Sequence, residues 1–137
     1  MITIKKQEIV KLEDVLPLYQ AVGWTNYTNQ PQMLEQSLAH SLAIYVARDG
    51  EEIVGLVRLV GDGFSSVFVQ DLIVLPSYQR QGIGSNLMKE ALADYKDAYQ
   101  IQLATEQTEK NLGFYRSLGF ETLSTYDCTG MIWVDRK

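Results

Sequence analysis

The sequence predicts one α/β (α+β) domain over residues 1–137. Its expected core is a mixed, mostly antiparallel twisted sheet of about six to seven strands, flanked by about four helices. Three observations carry this expectation. Residues 67–74 are an apolar run broken only by Gln70 and Asp71, as in a central strand covered on both sides. Directly afterwards the period changes, and Ile83, Leu87, Met88, Ala91, Leu92 and Tyr95 recur at helical spacing. The other segments complete the order β-α-α-β-β-β-α-β-α-β-β.

Taken in order, residues 1–6 alternate around Ile2 and Ile4 and read as a short strand. Leu12, Val15, Leu16 and Tyr19 make the first helical stripe, with Glu13 and Asp14 early, where acids favour a helix start. Residues 22–29 have loop composition and contain Trp24 and Tyr27. Pro31 fits the first turn of a second helix carrying Met33, Leu34 and Leu38. Residues 42–47 form a strand, and Asp49-Gly50 signals a hairpin into its partner, 53–60. Gly61-Asp62-Gly63 turns the chain into strand 67–74, which completes a three-stranded meander, and Pro76 then stops it. Past the helix that begins at Ile83, residues 100–104 alternate as a strand. Residues 109–118 read as a helix with Gly119 as its C-terminal cap. Residues 120–125 and 130–134 are expected to close the chain as two more strands.

Composition narrows the function. Twelve basic and 17 acidic residues leave a net charge of −5, which argues against a nucleic-acid partner and leaves a small cationic acceptor open. Cys128 is the only cysteine, so neither an intramolecular disulfide nor a multi-thiolate metal site is expected. It reads as a packed or edge residue, and His40, the only histidine, as a helix-end residue. No apolar run has membrane-spanning length, and Met1 leads into Ile2-Thr3-Ile4 rather than a signal peptide, so a cytoplasmic protein without a membrane partner is expected.

The chemistry concentrates after strand 67–74, where Gln79-Arg80-Gln81-Gly82-Ile83-Gly84-Ser85 opens a helix. A glycine-containing loop entering a helix N-terminus presents unpaired backbone N–H groups at the positive end of the macrodipole, which suits phosphate. No glycine is followed by lysine, so the nucleotide-hydrolase phosphate loop is excluded. Position 87 is leucine, so the dinucleotide fingerprint is excluded too.

The remaining pattern, Gln79-x-x-Gly82-x-Gly84, resembles the acetyl-CoA-binding signature of the GNAT superfamily of N-acetyltransferases. A second stretch, from Asn111 through Phe114-Tyr115 to Leu118-Gly119-Phe120, resembles that family's second signature, in the right order and context. The element order is also the family's, so the resemblance covers essentially the whole chain. It implies acetyl-CoA as co-substrate and no metal. It further implies that Gln79 belongs to the cofactor-binding residues and that backbone amides of Arg80, Gln81, Gly82, Ile83, Gly84 and Ser85 cradle the pyrophosphate. Ile73 and Val74 would bond the pantetheine arm, and Asn111 the cofactor. Tyr115 would act as general acid toward the leaving thiolate. Phe114 is expected in the core, beside the cofactor, and Phe120 in the core. Dimers are common in the family, so a homodimer is compatible with the resemblance.

An amine with a pKa near 10.4 is neutral in only about one molecule in 2500 at pH 7, a deficit of roughly 4.6 kcal/mol. The site therefore needs a base or a water relay. Asp71, an acid within the strand, is the candidate base; the alternative is a structural carboxylate bonded to a neighbouring loop or arginine. Many family members carry Glu-Asp on this strand, whereas here the pair is Gln70-Asp71, and Gln70 cannot act as a base. Strand alternation places these two on opposite faces unless a bulge intervenes. The resemblance puts the first two helices and their loop beside the acceptor, so Trp24, Tyr27 and Gln70 are expected to contact it. The leading expectation is transfer to a small-molecule primary amine. The alternatives are a protein N-terminal or lysine acetyltransferase and a non-catalytic CoA-binding sensor.

Overall fold

The computed structural model describes residues 1–135. The chain divides into two compact units, one from Met1 to Leu103 and one from Ala104 onward.

In the first unit β1 (Ile2–Gln7), β2 (Ala43–Asp49), β3 (Glu52–Gly61), β4 (Ser66–Val74) and β5 (Gln100–Leu103) lie side by side in chain order as a five-stranded sheet. The neighbours from β1 to β4 are antiparallel, and β5 joins β4 in parallel. A parallel neighbour needs a crossover, and α4 (Ile83–Asp94) supplies it. The Asp49-Gly50 signal becomes the β2–β3 hairpin, with Gly50 at φ 63°.

Helices α1 (Leu12–Ala21), α2 (Thr25–Thr28) and α3 (Pro31–Ala39) cover one face of the sheet. Val15, Leu18, Tyr19, Tyr27, Leu34 and Leu38 pack there on Ile44, Val46, Leu56 and Ile73. Each fully buried aliphatic side chain contributes roughly 1.5–3 kcal/mol. The stretch 22–29, expected as loop, contains the single helical turn α2, which brings Tyr27 into this core. α4 packs on the opposite face through the predicted stripe, burying Ile83, Leu87, Met88 and Ala91. It approaches β3 closely at Gly55, where an added Cβ would lie 3.0 Å from the Ile73 carbonyl oxygen and 3.2 Å from Leu87 Cδ1.

One irregularity on β4 shapes the site. Leu59 stands opposite Val69 and Arg58 opposite Asp71, so Gln70 is an extra residue, a β-bulge. Directly opposed residues share a face. Val69 therefore lies with Leu59 on the α4 face, while Asp71 turns with Arg58 toward α1.

In the second unit α5 (Glu109–Ser117) begins at the N-cap Thr108, whose hydroxyl accepts from the Asn111 N–H at 3.1 Å. Gly119, at φ 100°, closes the helix as expected, with the Phe120 N–H bonded to the Tyr115 carbonyl. The two strands expected at 120–125 and 130–134 are absent among the described residues, so the sheet has five strands rather than six to seven. Leu123–Tyr126 is instead a 3₁₀ turn. Its backbone bonds locally, Thr125 N–H to Thr122, Asp127 N–H to Ser124 and Cys128 N–H to Leu123. Such turn bonds occupy the groups that strand pairing would need, and β-propensity without a paired edge does not make a strand. Cys128 is exposed here rather than packed. Among the described residues no helix is long and apolar enough to cross a membrane, and no acidic, histidine or cysteine group is arranged to hold a metal ion.

Candidate active site

The site in the first unit starts where β4 and β5 stop pairing. Their register runs from Ser66 opposite Gln100 to Val69 opposite Leu103. β4 continues to Val74, paired on its other side with β3 as far as Gly55. Beyond Val69, then, β4 has no strand on the β5 side among the described residues, and alternate backbone groups of residues 70–74 face outward, able to bond an extended ligand. Ile73 and Val74 lie in this stretch.

β4 leads through Pro76–Tyr78, a 3₁₀ turn, to the loop before α4. Gly82 sits at the helix N-cap in the left-handed region, φ 82°, and an added Cβ would meet nothing within 4 Å. The requirement for glycine is conformational, and the space in front of it is open. Arg80 is also left-handed, φ 66°, an uncommon conformation for a residue with a Cβ. The first intrahelical bond runs from Asn86 N–H to the Gly82 carbonyl, so the amides of Ile83, Gly84 and Ser85 precede the helical ladder. The loop thus offers backbone donors at a positive helix end with no side chain in the way. That donor set fits a pyrophosphate. The Gln79 side-chain amide donates to the Val74 carbonyl at 3.1 Å and ties the loop to the end of β4.

Trp24, Tyr27, Gln70 and Asp71 come together on the other side of the bulge. Asp71 is 3% exposed, and both of its oxygens are committed. Oδ1 accepts from the Tyr27 hydroxyl at 2.8 Å. Oδ2 accepts from the Tyr19 hydroxyl at 2.8 Å and from Arg58 Nε at 2.8 Å. Arg58 also donates from Nη2 to the Tyr27 hydroxyl at 3.1 Å and from Nη1 to Ser41 Oγ at 3.2 Å. Asp71 is thus bonded to an arginine on the neighbouring strand and to two phenols of the helical layer. Burial, and then the charge of Asp71, push the Tyr19 and Tyr27 phenols up, so both remain protonated donors. Burial disfavours the Arg58 cation, but the adjacent Asp71 carboxylate outweighs it and the net direction is upward. The Gln70 amide works against the rise at Tyr27 by hydrogen bonding, so the bulge places Gln70 and Asp71 together beside one phenol. Trp24 stacks on Tyr27, centroids 6.3 Å apart, and meets Tyr19 edge-on at 6.2 Å.

In the second unit the Asn111 side chain donates to Thr105 Oγ1 at 3.1 Å and to the Glu106 carbonyl at 3.3 Å, organising the approach to α5. Tyr115 is held edge-on between Phe114 and Phe120, at 4.9 and 5.9 Å. Burial pushes its phenol up, so it carries its proton at neutral pH.

Arg58 reads from sequence as a weak candidate for an acidic acceptor group and more readily as a solvated or salt-bridged arginine, and here it is paired with Asp71, whereas Tyr19 was not among the expected site residues. One signal was available for Arg58: it is the only charge in the run 53–60, and a cation in a central strand needs an acid on the strand beside it. Tyr19 reads from sequence only as part of an apolar stripe.

The chain matches the acetyltransferase (GNAT) domain family over residues 40–122. It is 30% identical over 95 residues to serotonin N-acetyltransferase 2, chloroplastic, of Oryza sativa subsp. japonica, covering 66% of this chain and 48% of that protein. The chain thus spans about half the length of that curated relative. Among solved structures it is similar to a GNAT family acetyltransferase from Streptococcus pneumoniae TIGR4, with 79% identity, TM-score 0.93 and all of both chains covered. It also shares its fold with the PaiA N-acetyltransferase of Thermoplasma acidophilum, solved in complex with coenzyme A, at 18% identity and TM-score 0.66, covering 87% of this chain and 90% of that one. The parted β4–β5 edge, the open amide loop before α4 and the family match agree, and the chain belongs to the GNAT acetyltransferase family.

Proposed function

We propose that the protein transfers the acetyl group of acetyl-CoA to a primary amine of a small molecule, by direct attack with both substrates bound. The observation that carries this reading is the continuity of the unpaired β4 edge with the Gly82 loop. An extended arm can bond along residues 70–74 while a pyrophosphate rests on the amides from Arg80 to Ser85.

Acetyl-CoA supplies the thioester whose carbonyl carbon the amine attacks. Trp24, Tyr27 and Gln70 shape the acceptor side: the stacked rings offer an aromatic wall, and Gln70 a neutral polar contact. Asp71 holds Tyr27 and Arg58 in place and acts as a positioning residue, because it is buried and bonded to Tyr19, Tyr27 and Arg58. The amine proton then leaves through water, as the relay alternative requires. As the carbon–nitrogen bond forms and the carbon–sulfur bond breaks, Tyr115 passes its phenolic proton to the departing sulfur. Its raised pKa keeps that proton available.

The test is mass-resolved acetylation of a mixed panel of polyamines, arylalkylamines, amino acids and short peptides, run with the Tyr115→Phe variant. Product is expected on a small amine, with the variant slower by about 10²–10⁴ and its CoA affinity unchanged. Product on peptides alone would move the acceptor to proteins. Tight CoA binding without product would indicate a sensor, and an unaltered Tyr115→Phe rate would remove the general-acid role.

A further inference from the structure

The loop before α4 is tied to the sheet by two side chains. The Tyr78 hydroxyl donates to Asp49 Oδ2 at 2.7 Å, linking the end of the 3₁₀ turn to the β2–β3 hairpin. The other oxygen of Asp49 lies 3.2 Å from the Met1 amine. Gln79 Nε2 donates to the Val74 carbonyl. Backbone bonds continue the frame, with Leu75 N–H on the Val54 carbonyl at 2.9 Å and Tyr78 N–H on the Leu75 carbonyl at 2.8 Å. Residues 75–79 are therefore anchored to β2, β3 and β4, and the next residue is the left-handed Arg80. A non-glycine residue persists there only where its surroundings over-determine it.

We propose that Tyr78, acting through Asp49, is a positioning residue for the cofactor's phosphate end: the Tyr78–Asp49 brace fixes the entry to residues 80–85 so that their amides converge on the pyrophosphate. The proposal rests on the acetyl-CoA reading above. A brace that aligns donors before binding spares the ligand the ordering of the loop, and its loss falls on affinity rather than on the chemical step. Its effect must also depend on the ligand carrying phosphate. S-acetylpantetheine, which has the thioester arm without the nucleotide or pyrophosphate, does not reach residues 80–85.

The experiment compares the native protein with Tyr78→Phe, Asp49→Ala and the double variant. It measures CoA binding by calorimetry, and kcat and KM with acetyl-CoA and with S-acetylpantetheine. Tyr78→Phe should raise the CoA Kd and the acetyl-CoA KM about five- to tenfold, the scale of one ordinary hydrogen bond, with kcat unchanged. S-acetylpantetheine kinetics should not move. Asp49→Ala should have the same effect, and the double variant should add nothing, because the two residues form one unit. Equal losses with both donors, a fall in kcat alone, or an unchanged CoA Kd would overturn the brace. Failure of the native protein to bind CoA would overturn the acetyl-CoA reading itself, and the brace with it. An unchanged Kd in a native-like variant of a CoA-binding protein would overturn the brace alone.

Discussion

An aspartate supports each of the two ends of the unpaired half of β4, in opposite environments. At the bulge, Asp71 is 3% exposed and meets an equally buried arginine and two phenols. Past the strand end, Asp49 has 36% of its side chain exposed and accepts from one phenol and the terminal amine. Both are carboxylates that order aromatic hydroxyls, yet removing them should do different things. A buried ion pair offers little net stability over an apolar replacement, but loss of one partner strands the other in a low-dielectric interior. A surface brace leaves its partner to water, so its loss is felt where it aligned something.

The largest expected effect is at the buried end. Asp71→Ala should destabilise the protein by about 3–5 kcal/mol, since Arg58 is left uncompensated. Chemical denaturation measures this. Combining it with Arg58→Leu should recover part of the loss, but not all, because the Tyr19 and Tyr27 hydroxyls keep no acceptor. A single variant as stable as the native protein would show that the two aspartates are equivalent and break the comparison.

Tyr27→Phe should cost less, about 1–3 kcal/mol, for one hydroxyl removed from a buried network. A loss equal to that of Asp71→Ala would mean that the phenols, and not the ion pair, hold the bulge.

The smallest effect is at the surface and depends on pH. The Tyr78 hydroxyl first, then the Met1 amine, hold the Asp49 carboxyl below its ordinary range. A carboxyl depressed on folding stabilises the protein above its unfolded pKa, about 3.9, and loses that contribution as pH falls through the lower folded value. Stability measured from pH 6 downward should therefore show the Asp49→Ala and native proteins converging below about pH 4. Convergence at neutral pH instead would show that Asp49 has no folded-state partner of consequence.

Much of the architecture was legible. The switch of period at Ile83 marked α4, Asp49-Gly50 marked the hairpin, and Gly82 with Gly84 marked the amide loop. The miss at 120–134 has a definite cause. Residues such as Met131, Ile132 and Val134 have strand propensity, but a strand exists only when an edge accepts it, and propensity does not specify the edge. The one-turn helix α2 escaped for a related reason: four residues are too few to show a period.

By itself the sequence determined the local grammar of this protein, the order of its five strands and four longer helices, the glycine-bearing helix entrance and the two family signatures, because each depends on neighbours a few residues apart. Tertiary structure decided what Asp71 touches. Its partners Tyr19, Tyr27 and Arg58 lie 52, 44 and 13 residues away in the chain. Only the bulge at Gln70 turns it toward them, away from the face that simple alternation would assign. A carboxylate's chemistry follows from what fills its lone pairs, and those contacts exist only once distant segments have packed.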